Sequence, residues 1–287
     1  MRLRRAGFSL LELMVVLAMV GLVTAALYQA LLGTQRLSRT QAERAALQQN
    51  LRTAALILPA EFAELGFDSL PGSASAPDLL EAMPDRVRLR AARAGALVCL
   101  AQAGAVVIDT TRFFSAYRLP QPGRDSVQLF LEGNPGSGAD DGWVSRPLTA
   151  VAPATCPMTL RAGLQLSIPL SAAGAADSLR PGAPLRTFEV MEYSLALADG
   201  RWYLSARSVS GGGTAQPVLG PLAAGGLAFE YLDENGVATG DRRRVRAIRT
   251  HLVAESALPI LTSASAVPVI AADSLVNETT LRNAVRP

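Results

Sequence analysis

The 25 residues from Phe8 to Leu32, FSLLELMVVLAMVGLVTAALYQALL, carry a single charge, Glu12. As an α-helix rising about 1.5 Å per residue, the run is about 37 Å long and long enough to cross a hydrocarbon layer of roughly 30 Å. Arg2, Arg4 and Arg5 precede it and favour a cytoplasmic N-terminus. Two readings fit this much: a membrane anchor and a removable signal peptide. Val23-Thr24-Ala25 supplies a small-residue cleavage site for the second, with a mature start at Ala26. Three details favour the anchor. Gly7 stands at the junction between the basic arm and the apolar run, and the helical pattern continues past the point where a signal peptide is cut. Glu12 lies four residues into the run, where an ionised carboxylate costs roughly 2.5 to 3.5 kcal/mol on insertion scales. A generic secreted protein has no use for that carboxylate.

Composition narrows the remainder. The chain has 287 residues, 49% of them apolar and 18% charged, which argues for a buried core and against disorder. All 27 basic residues are arginine. The formal charge of +3 is owed to the three arginines of the N-terminal arm; without them 24 basic residues face 24 acidic ones. A general electrostatic attraction to nucleic acid is therefore not indicated. Cys99 and Cys156 are too few and too far apart for a zinc site. In an oxidising compartment they read as a single disulfide, with two free buried thiols as the alternative.

The segment Arg4-Arg5-Ala6-Gly7-Phe8-Ser9-Leu10-Leu11-Glu12-Leu13 resembles the processing and methylation motif of type IV prepilins and of type II secretion pseudopilins. The resemblance implies cleavage between Gly7 and Phe8 by a membrane-embedded prepilin peptidase, N-methylation of Phe8, and a role in assembly for the Glu12 carboxylate. It also implies other pilin subunits as partners through the N-terminal helix. A carboxylate in lipid is poorly satisfied in a lone subunit, and pairing with the Phe8 amine of a neighbour turns its cost into a bias towards polymerisation. Gln29 stands where many major pilins carry a helix-kinking proline, which leans towards a minor subunit.

After Leu32 the pattern stays helical but becomes amphipathic. Leu37, Leu47, Leu51, Ala54, Leu58, Phe62 and Leu65 recur mostly at three- and four-residue steps, with Arg36, Arg39, Arg44, Glu43 and Gln48 on other faces. This stripe is expected to pack beneath the following domain, with Pro59 kinking or interrupting the helix and Gly66 stopping it. Leu51 to Glu61 and Leu65-Gly66-Phe67 are similar to PilW-type minor pilins, in which such a helix leads into the head.

From Phe67 to Pro287 the chain reads as strands and turns, punctuated by Pro71-Gly72, Pro122-Gly123, Asn134 to Gly138 and Gly211-Gly212-Gly213. Two hairpins are expected. One joins Thr187–Leu197 to Arg201–Val209 through Asp199-Gly200; the other joins Gly226–Leu232 to Val245–Val253 past Glu234-Asn235-Gly236. The order of these features, and the ending Thr279 to Asn283, resemble PilW-type minor pilins and the J-type pseudopilin of type II secretion.

No catalytic constellation is readable. The single histidine, His251, falls in an expected strand, without a nucleophile-elbow, Walker, H-E-x-x-H or dinucleotide fingerprint. Asp233, Asn235 and Asp241 offer oxygens of the kind calcium takes, but their spacing fails the EF-hand loop and suits a turn. Arg242, Arg243, Arg244 and Arg246 form the densest basic cluster and suit either DNA phosphates or a charged edge strand. The chain is thus expected to be a non-enzymatic α+β, pilin-like protein without metal or cofactor: a leader (1–7), a transmembrane and assembly helix (8–32), an amphipathic continuation (33–66), and a mostly antiparallel β head (67–287). It is placed in the inner membrane with a periplasmic head and then in a surface pilus. A type II secretion pseudopilin is the near alternative, and a secreted protein with an ordinary signal peptide is the remote one.

Overall fold

The computed structural model describes residues 9–66, 77–111, 115–134, 136–137, 141–169, 179–262 and 265–282. A single helix, α1 (Leu10–Ala63), opens the chain. The strands that follow are β1 (Leu79–Ala82), β2 (Arg86–Gln102), β3 (Ala105–Asp109), β4 (Ser115–Ala116), β5 (Ser126–Leu131), β6 (Gly142–Pro147), β7 (Ala150–Cys156) and β8 (Arg161–Ser167). Next come β9 (Pro184–Ala198), β10 (Arg201–Ser208), β11 (Gln216–Leu232), β12 (Ala247–Glu255), β13 (Ile260–Thr262), β14 (Ser265–Val269) and β15 (Ala272–Thr280). The expected α+β class is what forms: one long N-terminal helix on a large antiparallel sheet.

Two units divide the chain. The first comprises residues 1–48 with Ser256–Ala271; the second comprises Gln49–Glu255 with Ala272–Pro287. In the first, the β13–β14 hairpin lies beside the helix, where Leu258 N donates to Glu43 Oε2 at 3.1 Å and Arg44 Nη2 reaches Leu261 O at 3.5 Å. Every residue from Ser9 to Leu31 is exposed. Leu37, expected on the packing stripe, is also exposed, since this unit offers it little but the hairpin.

The second unit contains the sheet, ordered β15-β12-β11-β10-β9-β2-β3-β8-β7, with β1 and β4 on β2 and the β5–β6 pair on β9. The last turns of α1 pack on it through Leu51, Ala54, Leu58, Phe62 and Leu65, all buried, and the rings of Phe62 and Phe229 meet edge-on at 6.0 Å. Pro59 does not end the helix, which runs through it to Ala63. Only one backbone donor is lost there, and the buried Leu58 and Phe62 hold the final turn on the sheet. Gly66, at φ +87°, then takes the left-handed conformation that stops the helix, and its N–H donates to Asp78 Oδ2.

Strand β2 was not singled out in the sequence because its alternation is written in alanine and arginine. Val87, Leu89 and Ala91 are buried, the register shifts between Ala92 and Ala94, and Ala94, Ala96 and Val98 resume the buried series. The β9–β10 hairpin turns through Asp199 (φ +48°) and Gly200 (φ +74°), the left-handed pair that a two-residue turn requires. The second expected hairpin forms between β11 and β12, with a connection longer than its Asn-Gly turn because Leu232 pairs with Ala247. A further core, away from the helix, gathers Val98, Val106, Ile108, Val127, Leu129, Leu166 and Ile168.

Phe62→Ala is expected to destabilise the protein by about 3 to 5 kcal/mol, whereas Leu56→Ala, at an exposed position of the same helix, changes stability by about 0.5 kcal/mol or less. Urea unfolding of the two variants in detergent measures the difference; equal midpoints would contradict the packing described.

Candidate functional site

Two parts of the chain combine chemistry with unusual placement: the N-terminal helix and a charged seam where that helix meets the sheet. Gly7 and Phe8 lie outside the described residues. Glu12 sits in the first turn of α1, where its N–H donates to Ser9 Oγ at 3.2 Å. Ser9 is thus an N-cap and Glu12 occupies the third helical position, a Ser-x-x-Glu arrangement that favours helix initiation here. That capping pattern is legible in the residues Ser9-Leu10-Leu11-Glu12, so Glu12 serves the helix start whatever its part in assembly. The apolar run that follows is long enough to cross a membrane and buries nothing within the chain. Fourteen large apolar side chains from Leu10 to Leu31 lie open. Such a surface requires lipid or other helices around it.

The seam centres on Glu189, whose side chain is fully buried. Arg124 Nε donates to its Oε1 at 2.5 Å, and Arg93 Nε and Arg118 Nη2 each donate to Oε2 at 3.0 Å. Arg93 also donates to Glu61 of α1 at 3.2 Å, while Arg118 grips the buried Asp125 through two 2.6 Å bonds. Three guanidiniums therefore meet three carboxylates and cancel in charge. Two irregularities of the sheet create the seam. Arg93 is the extra residue where the β2–β9 register shifts between Ala92 and Ala94, a bulge that re-aims its side chain. Glu189 lies where one edge of β9 has left β5 at Phe188 and has not yet reached β10 at Met191.

Burial alone pushes the Glu189 carboxyl up, but hydrogen bonds from Ser208 and the three arginines outweigh it and hold its pKa at about 2. Burial lowers the Arg93 pKa, and Glu61 and Glu189 raise it by more, so it stays charged. Burial beside Glu61 raises the Tyr193 hydroxyl far above its ordinary range. Nothing in the sequence marked this seam, because its members come from five separated segments and from a bulge.

Cys99 of β2 and Cys156 of β7 are bonded, with Cα atoms 5.5 Å apart, and pack with Val107. His251 lies half exposed on β12, its Nε2 4.0 Å from Glu230. The Asp233 carboxylate accepts the N–H groups of Asn235 and Val237 and pairs with Arg244 at 3.0 Å, so it serves the turn. No group of three His, Cys, Asp or Glu side chains converges on a metal position among the described residues. In the basic cluster, Arg242 donates to Leu80 O and Arg246 to Arg243 O and Val245 O. With Arg244 on Asp233, three of the four arginines hold the loop in shape.

Residues 2–28 match a family model described as the prokaryotic N-terminal methylation motif. No curated protein and no solved structure matches the chain. The motif supports a type IV pilin-like protein, and with the apolar helix it is consistent with membrane anchoring.

Glu189→Gln tests the seam. The carboxylate stabilises the folded state above its ordinary pKa near 4.5, and that contribution is lost as pH falls towards 2. The shift corresponds to about 3 kcal/mol. The variant is expected to lose that much at pH 7 and to show a flatter decline in stability between pH 4.5 and 2. Urea midpoints across that range decide the matter, and a constant offset from the unmodified chain would contradict the assignment.

Proposed function

We propose that the chain is a minor pilin of a type IV pilus, synthesised with the leader 1–7 and assembled through its N-terminal helix. The observation that carries this reading is the pairing of the methylation motif at residues 2–28 with a helix that leaves residues 9–31 wholly uncovered. Prepilin peptidase cuts between Gly7 and Phe8 and methylates the Phe8 amine. The new amine is a cation at the end of an apolar helix, and Glu12 is the acid within reach of a neighbouring subunit's copy. Pairing the two relieves the cost of a carboxylate in lipid only when subunits assemble. The motif's family is structural rather than catalytic, and the proposed role is non-enzymatic.

Two features favour a minor over a major subunit: Gln29 replaces the expected proline, and α1 passes through it unbroken. The head then sits on the periplasmic side before assembly and on the cell surface after it. DNA is not among the proposed partners, because Arg242, Arg244 and Arg246 are committed within the head. A pseudopilin of type II secretion shares the same N-terminal logic and is the second reading.

Glu12→Ala is expected to leave folding and membrane insertion intact while reducing the chain in sheared filaments at least tenfold. Immunoblots of membrane and sheared fractions measure both. Normal levels of the variant in filaments would contradict the assembly role. A deletion strain that keeps its pili but loses protein secretion would move the chain to the second reading.

A further inference from the structure

Strand β15 closes one side of the sheet: it pairs with β12 over nine residues, from Glu255↔Ala272 to Ala247↔Thr280, and with no other strand among the described residues. The opposite edge, β7, is interrupted by Pro153 and tied down by the disulfide at Cys156, both features that discourage pairing. β15 has neither. Beside it runs a groove of about 430 Å³, walled by Ala60 and Ala63 of α1 and by Tyr117. Its other wall is Asn277, Glu278, Thr279 and Thr280. A strand shows alternate side chains to any one face, so four consecutive residues can line a groove only if the strand presents its edge there. Among the described residues, the groove therefore lies along a ladder of β15 backbone N–H and C=O groups that no other strand pairs, and only past the strand's end does Arg282 N donate to Ala63 O at 3.0 Å.

The outer face of the sheet specifies what completes that ladder. Glu230 of β11, Arg249 of β12 and Glu278 of β15 stand directly opposite one another in register. Arg249 bridges them, with Nη1 at 2.6 Å from Glu230 and Nη2 at 2.8 Å from Glu278. Both of its bonds to Glu278 fall on Oε2. The alternation of negative, positive and negative charge ends at the edge on a half-exposed carboxylate. Two residues away on the same face Val276 is 58% exposed.

We infer that the β15 edge is a docking site for an extended segment of another polypeptide, added antiparallel as a further strand, with a basic residue opposite Glu278 and an aliphatic one opposite Val276. The backbone ladder supplies most of the contact, and the cation continues the alternating charge row. In the partner the order is cation, any residue, aliphatic residue. The middle residue faces the groove beside Ala60 and Ala63. The inference stands independently of the pilin assignment, because it uses only the sheet and the end of the helix.

The probe is a fluorescent heptapeptide, Thr-Thr-Arg-Thr-Val-Thr-Thr, titrated against the full-length chain in detergent micelles. It is expected to bind at least fivefold more tightly than its Arg-to-Glu version and to slow hydrogen exchange of the β15 amides. Glu278→Arg is expected to reverse the preference between the two peptides. Val276→Asp, at an exposed position that the fold does not need, is expected to weaken the arginine peptide at least fivefold. Absence of binding at millimolar peptide would overturn the inference. So would equal binding by a peptide N-methylated at every backbone nitrogen, which has no N–H to give the ladder. Self-association of the chain that Glu278→Arg abolishes would assign the edge to a second copy instead.

Discussion

Helix α1 carries two different surfaces on one continuous backbone. Over Ser9–Leu31 its side chains are apolar and uncovered; over Leu51–Leu65 its apolar stripe is buried on the sheet. An exposed apolar helix of this length in water carries a large unfavourable surface term, so the first part makes sense only within lipid or among other helices. The second part makes sense only with the sheet beneath it. Continuity through Gln29 and Pro59 therefore joins a segment that needs partners to a domain that provides its own core.

The joint between helix and sheet is electrostatic as well as apolar. Phe62 fills a position against Phe229, while Glu61, one residue earlier, reaches Arg93 and through it Glu189. A buried carboxylate is costly alone, and removing one member of such a network leaves its partners charged and unmatched. The seam is therefore specific about where the helix lies: a shift of one turn would separate Glu61 from Arg93. A bulge in β2 and the gap in pairing along β9 open the room for these side chains. Departures from sheet regularity are here what position the charges.

Much of this was legible in the residues. The apolar run with its lone Glu12, the steps from Leu47 to Leu65, the Gly66 stop and the Asp199-Gly200 turn each follow from local chemistry that tertiary context left standing. Leu37 misled because periodicity shows which face is apolar but not how far along the helix a partner extends. Pro59 does not interrupt the helix as its missing donor suggests, because burial of Leu58 and Phe62 on the sheet holds the final turns despite the lost bond. The charged seam could not be read at all, since Arg93 comes from a bulge and Arg118 and Arg124 from the loop between β4 and β5, and they meet Glu189 only in the folded chain. The arginine cluster at 242–246 suits either DNA phosphates or a charged edge strand on its residues alone; in the fold it lies in a loop, and three of its arginines bond carbonyls and Asp233, contacts that a linear reading does not see.

On the proposed reading the apolar helix is kept, not discarded, and its first residue is made by processing. Mass spectrometry of the mature protein from purified membranes measures this directly. The expected N-terminus is Phe8, heavier by one methyl group. A chain beginning at Ala26, cut as an ordinary signal peptide would be, or an intact Met1 start, would contradict it.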